Sequence, residues 1–178
     1  LPDPCTEDIA AGSSLFLLSC VRQDDGAIGN WTQSEYALAL GYGLYPENLG
    51  KLGAEKLNFS IEQSNYHIST GYITSPLILT QLCKYGYIET AYKMIQKKEY
   101  PSWNYMLEHT SSLTESWFTI KENEEGNTKI TGSLNHVALG AVGQWFYTDI
   151  LGIKRDEKTP AYQHFYLEPC IGGGLSYA

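Results

Sequence analysis

Runs of one charge, paired metal ligands and membrane-length apolar stretches are all missing from these 178 residues. The longest basic runs are the pairs Lys97-Lys98 and Lys154-Arg155, and twelve Lys and Arg stand against twenty Asp and Glu, a net charge of −8. A surface that tracks phosphates is not expected on such a chain, so nucleic acid is set aside as a partner. His67, His109, His136 and His164 have no partner at i,i+4, and Cys5, Cys20, Cys83 and Cys170 are too far apart for CxxC spacing. Neither pattern supports a metal centre, and no cofactor is expected. Four cysteines in a chain this long also fall short of a disulfide framework and read as free thiols. There is no G-x-S-x-G nucleophile turn, and "IGGG" at 171–174 has neither the spacing nor the strand-to-helix setting of a phosphate cradle. The most apolar early run, "SSLFLLSCV" at 13–21, is too short to span a bilayer and lacks the basic flank of a signal peptide. The expectation is a soluble chain without a membrane partner or targeting segment, its compartment open.

What is present is an ordinary globular composition, 43% apolar and 18% charged, at a length suited to one domain or one large piece of a bigger one. Helical periodicity dominates. "TQSEYALALGYGL" carries Tyr36, Ala37, Leu40 and Leu44 at helical spacing with Thr32 as cap, predicting a helix over about 32–43. Pro46 and Glu47 restart a second helix bearing Leu49, Leu52, Leu57 and Ile61, which closes an αα-hairpin. A second hairpin follows, "TSPLILTQLCKYG" with Thr74 or Ser75 as cap and Gly86 as stop, then "YIETAYKMIQKK" with Ile88, Ala91, Tyr92 and Ile95 on one side. A further helix, "NHVALGAVGQWFYTDILG", has Val142, Trp145, Phe146 and Ile150 on one stripe, with Gly140 and Gly143 expected to permit close packing. After Gly152 the texture becomes strand-like in "AYQHFYLEP", and both ends read as cut.

The long 100–135 segment reads as loop, and loops of that length in a helical domain are usually functional or disordered. It includes "HTSSLTESWFT", where Glu115 sits among hydroxyls beside Trp117 and Phe118. Such a carboxylate is either a capped loop end or an acid/base group. Aromatics make up 13% of the chain, and Tyr66, Tyr72, Tyr100, Trp103, Tyr105 and Trp117 fall in non-periodic stretches. Flat rings of this kind stack on the C–H faces of sugars, or pack between helices and loops.

"YPSWNYMLEHTSSLTESW" followed by "GSLNHVALGAVGQWFY" resembles the α-L-rhamnosidases of glycoside hydrolase family 78, whose members read Y-P-S-W-x-Y-M, then W-E-R-W, then S-L-N-H and a Gly-rich helix. "TQSEYALALGYGLYPE", "STGYITSPLILTQLCKYGYIETAYKMI" and "PAYQHFYLEPCIGGGL" extend the match, collinearly, over about Asp25 to Ala178. The resemblance implies an all-α (α/α)6 barrel of the six-hairpin kind. Residues 1–158 would be the C-terminal part of that catalytic barrel, and 159–178 the start of a β-sandwich. It implies an inverting hydrolase that releases terminal L-rhamnose from a glycoside or polysaccharide, using two carboxyl groups roughly 6.5–9.5 Å apart. Glu115 stands where the family has its general base. His136 matches a histidine implied to bind rhamnose hydroxyls, Trp103 matches an active-site-side aromatic, Trp117 and the hydroxyls around Glu115 would orient that carboxylate, and Tyr105 joins Trp103 and Trp117 as a candidate sugar-binding aromatic. The family's W-E-R-W is Thr114-Glu115-Ser116-Trp117 here, and the position after S-L-N-H is Val137. The family's general acid lies in an earlier Asp- and Trp-rich segment that has no counterpart in these residues. The isolated chain is therefore expected to be inactive, with the remainder of the barrel on a longer or second chain. The alternatives are a non-catalytic carbohydrate-binding remnant or another (α/α)6 glycosidase.

Overall fold

In the computed structural model, residues 21–22, 24–122 and 127–177 are described. The apolar run at 13–20 and the thiols Cys5 and Cys20 lie outside them. Among the described residues, α1 (Gln33–Gly41) and α2 (Gly50–Gln63) form the first hairpin, and α3 (Ser75–Lys84) and α4 (Ile88–Ile95) form the second. α1 packs against both α2 and α3, so the hairpins lie side by side, and α3 also meets the later helical stretch.

Local chemistry sets the helix ends. Thr32 caps α1 in a capping box: its hydroxyl accepts from the Glu35 N–H, while the Glu35 carboxylate accepts from the Thr32 and Asn30 N–H groups. Gly86, at φ +88°, ends α3 and lets the Tyr87 N–H reach back to the Leu82 carbonyl at 2.8 Å. The cap expected of Thr74 or Ser75 is not made. Both hydroxyls instead donate to the Gly71 carbonyl, pinning the loop that leads into α3. α2 begins at Gly50, after a turn in which Leu49 and Gly50 both donate to Pro46. Within it Leu57 and Ile61 are fully buried, whereas Leu52 is exposed. Gly53 lies against the Tyr45 ring, where a Cβ would stand 2.4 Å from a ring carbon, and Tyr45 donates to the Gly26 carbonyl at 2.7 Å.

The core joins Tyr36, Leu40, Leu57, Ile61, Ile78, Leu79, Leu82 and Met94 of the hairpins to Met106, Leu139 and Trp145 farther along. Each large apolar side chain so buried contributes about 1.5–3 kcal/mol relative to exposure.

The 100–135 segment is more ordered than its lack of periodicity suggests. It contains α5 (Trp103–His109), a 3-10 turn (Trp117–Thr119) and an antiparallel hairpin of β1 (Ile120–Glu122) and β2 (Thr128–Ile130), with Ile120 opposite Ile130. α5 is too short to show a helical period, but Ser102 caps it by accepting from the Tyr105 N–H.

The helix expected over 135–152 is broken into α6 (Val137–Gly140), α7 (Gly143–Trp145) and a π-helical turn (Phe146–Ile150). Val142, Trp145 and Ile150 are buried as expected, but Phe146 is 43% exposed. The wider turn breaks the 3.6-residue register on which the stripe was counted. A Cβ at Gly140 or Gly143 would meet nothing within 4 Å, so neither glycine serves close packing here. Asp149 of the π turn is buried and accepts from Thr80, Thr148 and Lys154. Three donors offset the cost of removing that carboxylate from water. β3 (Ile153–Arg155) then pairs antiparallel with β4 (Phe165–Leu167), matching the strand-like texture there.

Candidate active site

Two segments, 112–119 and 131–136, run antiparallel and are tied at several points. The Ser112 hydroxyl donates to the Leu134 carbonyl. The His136 N–H donates to Leu113, the Glu115 N–H to Ser133 and the Thr131 N–H to Thr119, at 3.0, 3.0 and 2.8 Å. The tie puts Glu115 and His136, twenty-one positions apart in sequence, on adjoining stretches of one loop pair. The β1–β2 hairpin closes the far end.

Glu115 is exposed to solvent. One carboxylate oxygen, Oε2, is 3.4 Å from the Ser133 N–H. Ser116 does not turn toward that carboxylate in place of the family's arginine; it caps the 3-10 turn through Thr119. An exposed carboxylate on a fixed backbone can accept a proton from a bound water.

His136 is the N-cap of α6, its Nδ1 accepting from the Ala138 N–H at 3.0 Å. In the neutral ring the proton therefore sits on Nε2, which becomes a hydrogen-bond donor. A sugar hydroxyl is a suitable acceptor. A cap of this kind also explains why this histidine stands at a helix start whether or not a ligand binds.

Trp103 and Trp117, expected to face a sugar, are only 3% and 7% exposed. They meet edge to face at 5.2 Å, and their indole N–H groups donate to the Leu139 and Thr70 carbonyls at 3.1 and 2.7 Å. Their role in this structure is to clamp the Glu115 loop between α6 and the loop entering α3. Tyr105 is half-buried and donates to Glu122 of β1 at 2.8 Å. Burial, and then the Glu122 carboxylate beside it, push its pKa up to about 12. His109, stacked on Tyr105, contacts the same carboxylate.

Sequence reasoning assigned no role to four contributors. Thr70 supplies the carbonyl that anchors Trp117. Buried Gln33 holds the preceding loop, accepting from the Ser69 N–H and donating to the His67 carbonyl. Gly132 and Ser133 adjoin the Glu115 carboxylate. A glutamine at a helix start and a Gly-Ser pair are too common to single out without coordinates.

Among the described residues no group of three or more His, Cys, Asp or Glu side chains is placed to hold a metal ion. Cys83 and Cys170 are free thiols. No helix among them is long and apolar enough to cross a membrane.

Residues 10–150 match the family model described as the bacterial alpha-L-rhamnosidase 6 hairpin glycosidase domain. The chain is 34% identical to an alpha-L-rhamnosidase of Streptomyces avermitilis over 155 residues, 86% of this chain and 15% of that protein. It is 31% identical to one from Alteromonas sp. over 151 residues, 84% of this chain and 16% of that protein. The crystal structure of the Streptomyces avermitilis enzyme complexed with L-rhamnose superposes with a TM-score of 0.82 at 30% identity, covering 94% of this chain and 16% of that one. That of native Aspergillus terreus rhamnosidase gives 0.81 at 28% identity, covering 94% and 20%. The chain thus spans about a sixth of the length of these curated relatives.

Proposed function

From the chain's membership of the bacterial α-L-rhamnosidase six-hairpin glycosidase family, we propose that it forms part of an inverting α-L-rhamnosidase, acting on a rhamnose-containing glycoside or polysaccharide. Glu115 is the general base. It takes a proton from water as the oxygen attacks the anomeric carbon, while a carboxylic acid on the opposite face protonates the departing glycosidic oxygen.

The observation that carries this reading is the exposed Glu115 carboxylate tied beside His136 by paired backbone segments. His136 donates from Nε2 to a rhamnose hydroxyl. Trp103, Trp117 and Tyr105 act on the sugar chiefly through the loops they hold, since their polar atoms are already engaged. On this reading the helical hairpins are part of the barrel, and the stretch from 159 to 178 is the start of a β-sandwich.

The acid comes from outside these residues. Asp24 and Asp25 are paired with Arg22, and Asp25 also with Lys56. Asp149 is buried against Lys154. These three carboxylates are already engaged with cations, which supports an acid supplied from elsewhere.

Release of rhamnose from an aryl α-L-rhamnoside tests the proposal, with the 178-residue chain, the native polypeptide that carries it and the Glu115→Gln variant of each. Turnover confined to the longer wild type is expected. Turnover by the 178 residues alone would refute an acid supplied from elsewhere. Rhamnose binding without turnover in every form would favour a carbohydrate-binding role.

A further inference from the structure

We infer that the Gly132-Ser133 turn positions the Glu115 carboxylate: the Ser133 backbone N–H holds Oε2 and leaves Oε1 free for water, an arrangement that requires glycine at 132. The inference rests on the reading of Glu115 as general base.

Glu115 and Ser133 meet twice. The Glu115 N–H donates to the Ser133 carbonyl at 3.0 Å, and the Ser133 N–H returns toward Glu115 Oε2 at 3.4 Å. The first contact fixes the backbone from which the side chain springs, and the second restricts the side chain's rotamer.

Gly132 has φ +90°, in the left-handed region where a side chain is disfavoured. A Cβ there would lie 3.5 Å from Glu115 Oε2 and 3.7 Å from Thr119 Oγ1, on the same side as the carboxylate. At those distances a methyl would make ordinary contact, so the constraint is the backbone: any other residue would strain the conformation that aims the Ser133 N–H.

The residue after Glu115 does not share that task. Where the family pattern has an arginine after the glutamate, this chain has Ser116, whose hydroxyl is occupied with Thr119. A general base works only when its oxygen sits within about 2.6–3.2 Å of the water it activates. Misplacement by an ångström costs a factor of about a hundred. A single backbone N–H on one oxygen keeps the other at a defined place without enclosing it.

The test is steady-state hydrolysis of 4-nitrophenyl α-L-rhamnoside by the native polypeptide and its Gly132→Ala, Ser133→Pro, Ser133→Ala and Glu115→Gln variants. Thermal melts accompany the kinetics. Ser133→Ala keeps the N–H and removes only the hydroxyl's bond to the Asn135 carbonyl, so it is expected to lose far less kcat than Ser133→Pro. Gly132→Ala and Ser133→Pro are expected to lower kcat by about a hundredfold with KM little changed. Glu115→Gln should lower it by about 10²–10⁴-fold.

If Gly132→Ala and Ser133→Pro keep full kcat while Glu115→Gln is dead, the positioning role fails and the base stands. Should Glu115→Gln turn over normally, or the wild type release no rhamnose, the base reading fails and the positioning role with it. Ser133→Ala as damaging as Ser133→Pro would assign the effect to the hydroxyl instead and overturn the inference. If Ser133→Pro does not fold, Gly132→Ala decides.

Discussion

The helical hairpins at 33–95 and the loop pair at 112–136 are held together by different forces. In the hairpins, Leu57, Ile61, Ile78, Leu79 and Leu82 are buried with their backbones already satisfied inside helices, so non-directional apolar contact suffices. The loop pair has few apolar residues to bury. Its shape comes from directional bonds that cross long stretches of sequence: Trp117 to Thr70, Glu115 to Ser133, His136 to Leu113. The first region tolerates exchange of one apolar residue for another. The second depends on particular atoms, which suits the role proposed for Glu115.

That contrast is sharpest at Glu115. Glu115→Gln should remove about 10²–10⁴ of kcat in the native polypeptide while the melting temperature stays within a degree or two. A large drop in melting temperature would show that the carboxylate belongs to the frame instead.

Leu79→Ala should do the reverse. It is expected to cost about 2–5 kcal/mol of stability by opening a cavity, with kcat per folded molecule unchanged. Chemical denaturation read beside kinetics checks both halves.

Gln33→Leu tests the border between the regions. The side chain is buried in α1 but its bonds run to the Ser69 N–H and the His67 carbonyl. Leaving those groups unpaired should cost about 1–3 kcal/mol, and faster amide exchange at Ser69 should accompany it. An unchanged exchange rate would mean that the loop is held without Gln33.

Tyr105→Phe removes the bond to Glu122 and should cost about 1 kcal/mol. The titration of Tyr105, placed at about 12 by burial and Glu122, should return toward the ordinary tyrosine value in a Glu122→Gln variant.

The smallest effect concerns acid. Burial pushes the Glu35 pKa up, but the Thr32 and Asn30 N–H groups and the Thr32 hydroxyl outweigh it, so the net shift is below its ordinary value of 4.5. A carboxyl lowered on folding adds stability that is fully present above its unfolded pKa and is lost as pH falls through the folded one. The wild type's advantage over Glu35→Gln should therefore be constant near neutrality and fade below about pH 4.5. A difference that grows on acidification would reverse the assigned sign.

Legibility followed the same division. α1 to α4 could be read from apolar spacing and from Thr32 and Gly86, because a helix end is satisfied by residues close in sequence. α5 was hidden by its seven residues. The π turn was hidden because its extra residue shifts the period without leaving a mark of its own. Glu115 and His136 were found through the motifs that surround them, whereas their composition and spacing left both roles open. Trp103 and Trp117 looked like sugar platforms because an aromatic residue in a non-periodic stretch gives no sign of whether it faces solvent or core.

By itself the sequence determined the helical hairpins, the family and the two polar residues worth testing, since local periodicity and collinear motifs are properties of the chain's order. Tertiary structure alone decided that Glu115 lies against Ser133, that Trp117 spends its N–H on Thr70, and that the two tryptophans face each other. Those are contacts between residues from 14 to 47 positions apart, and a hydrogen bond at that separation depends on where the intervening chain has folded.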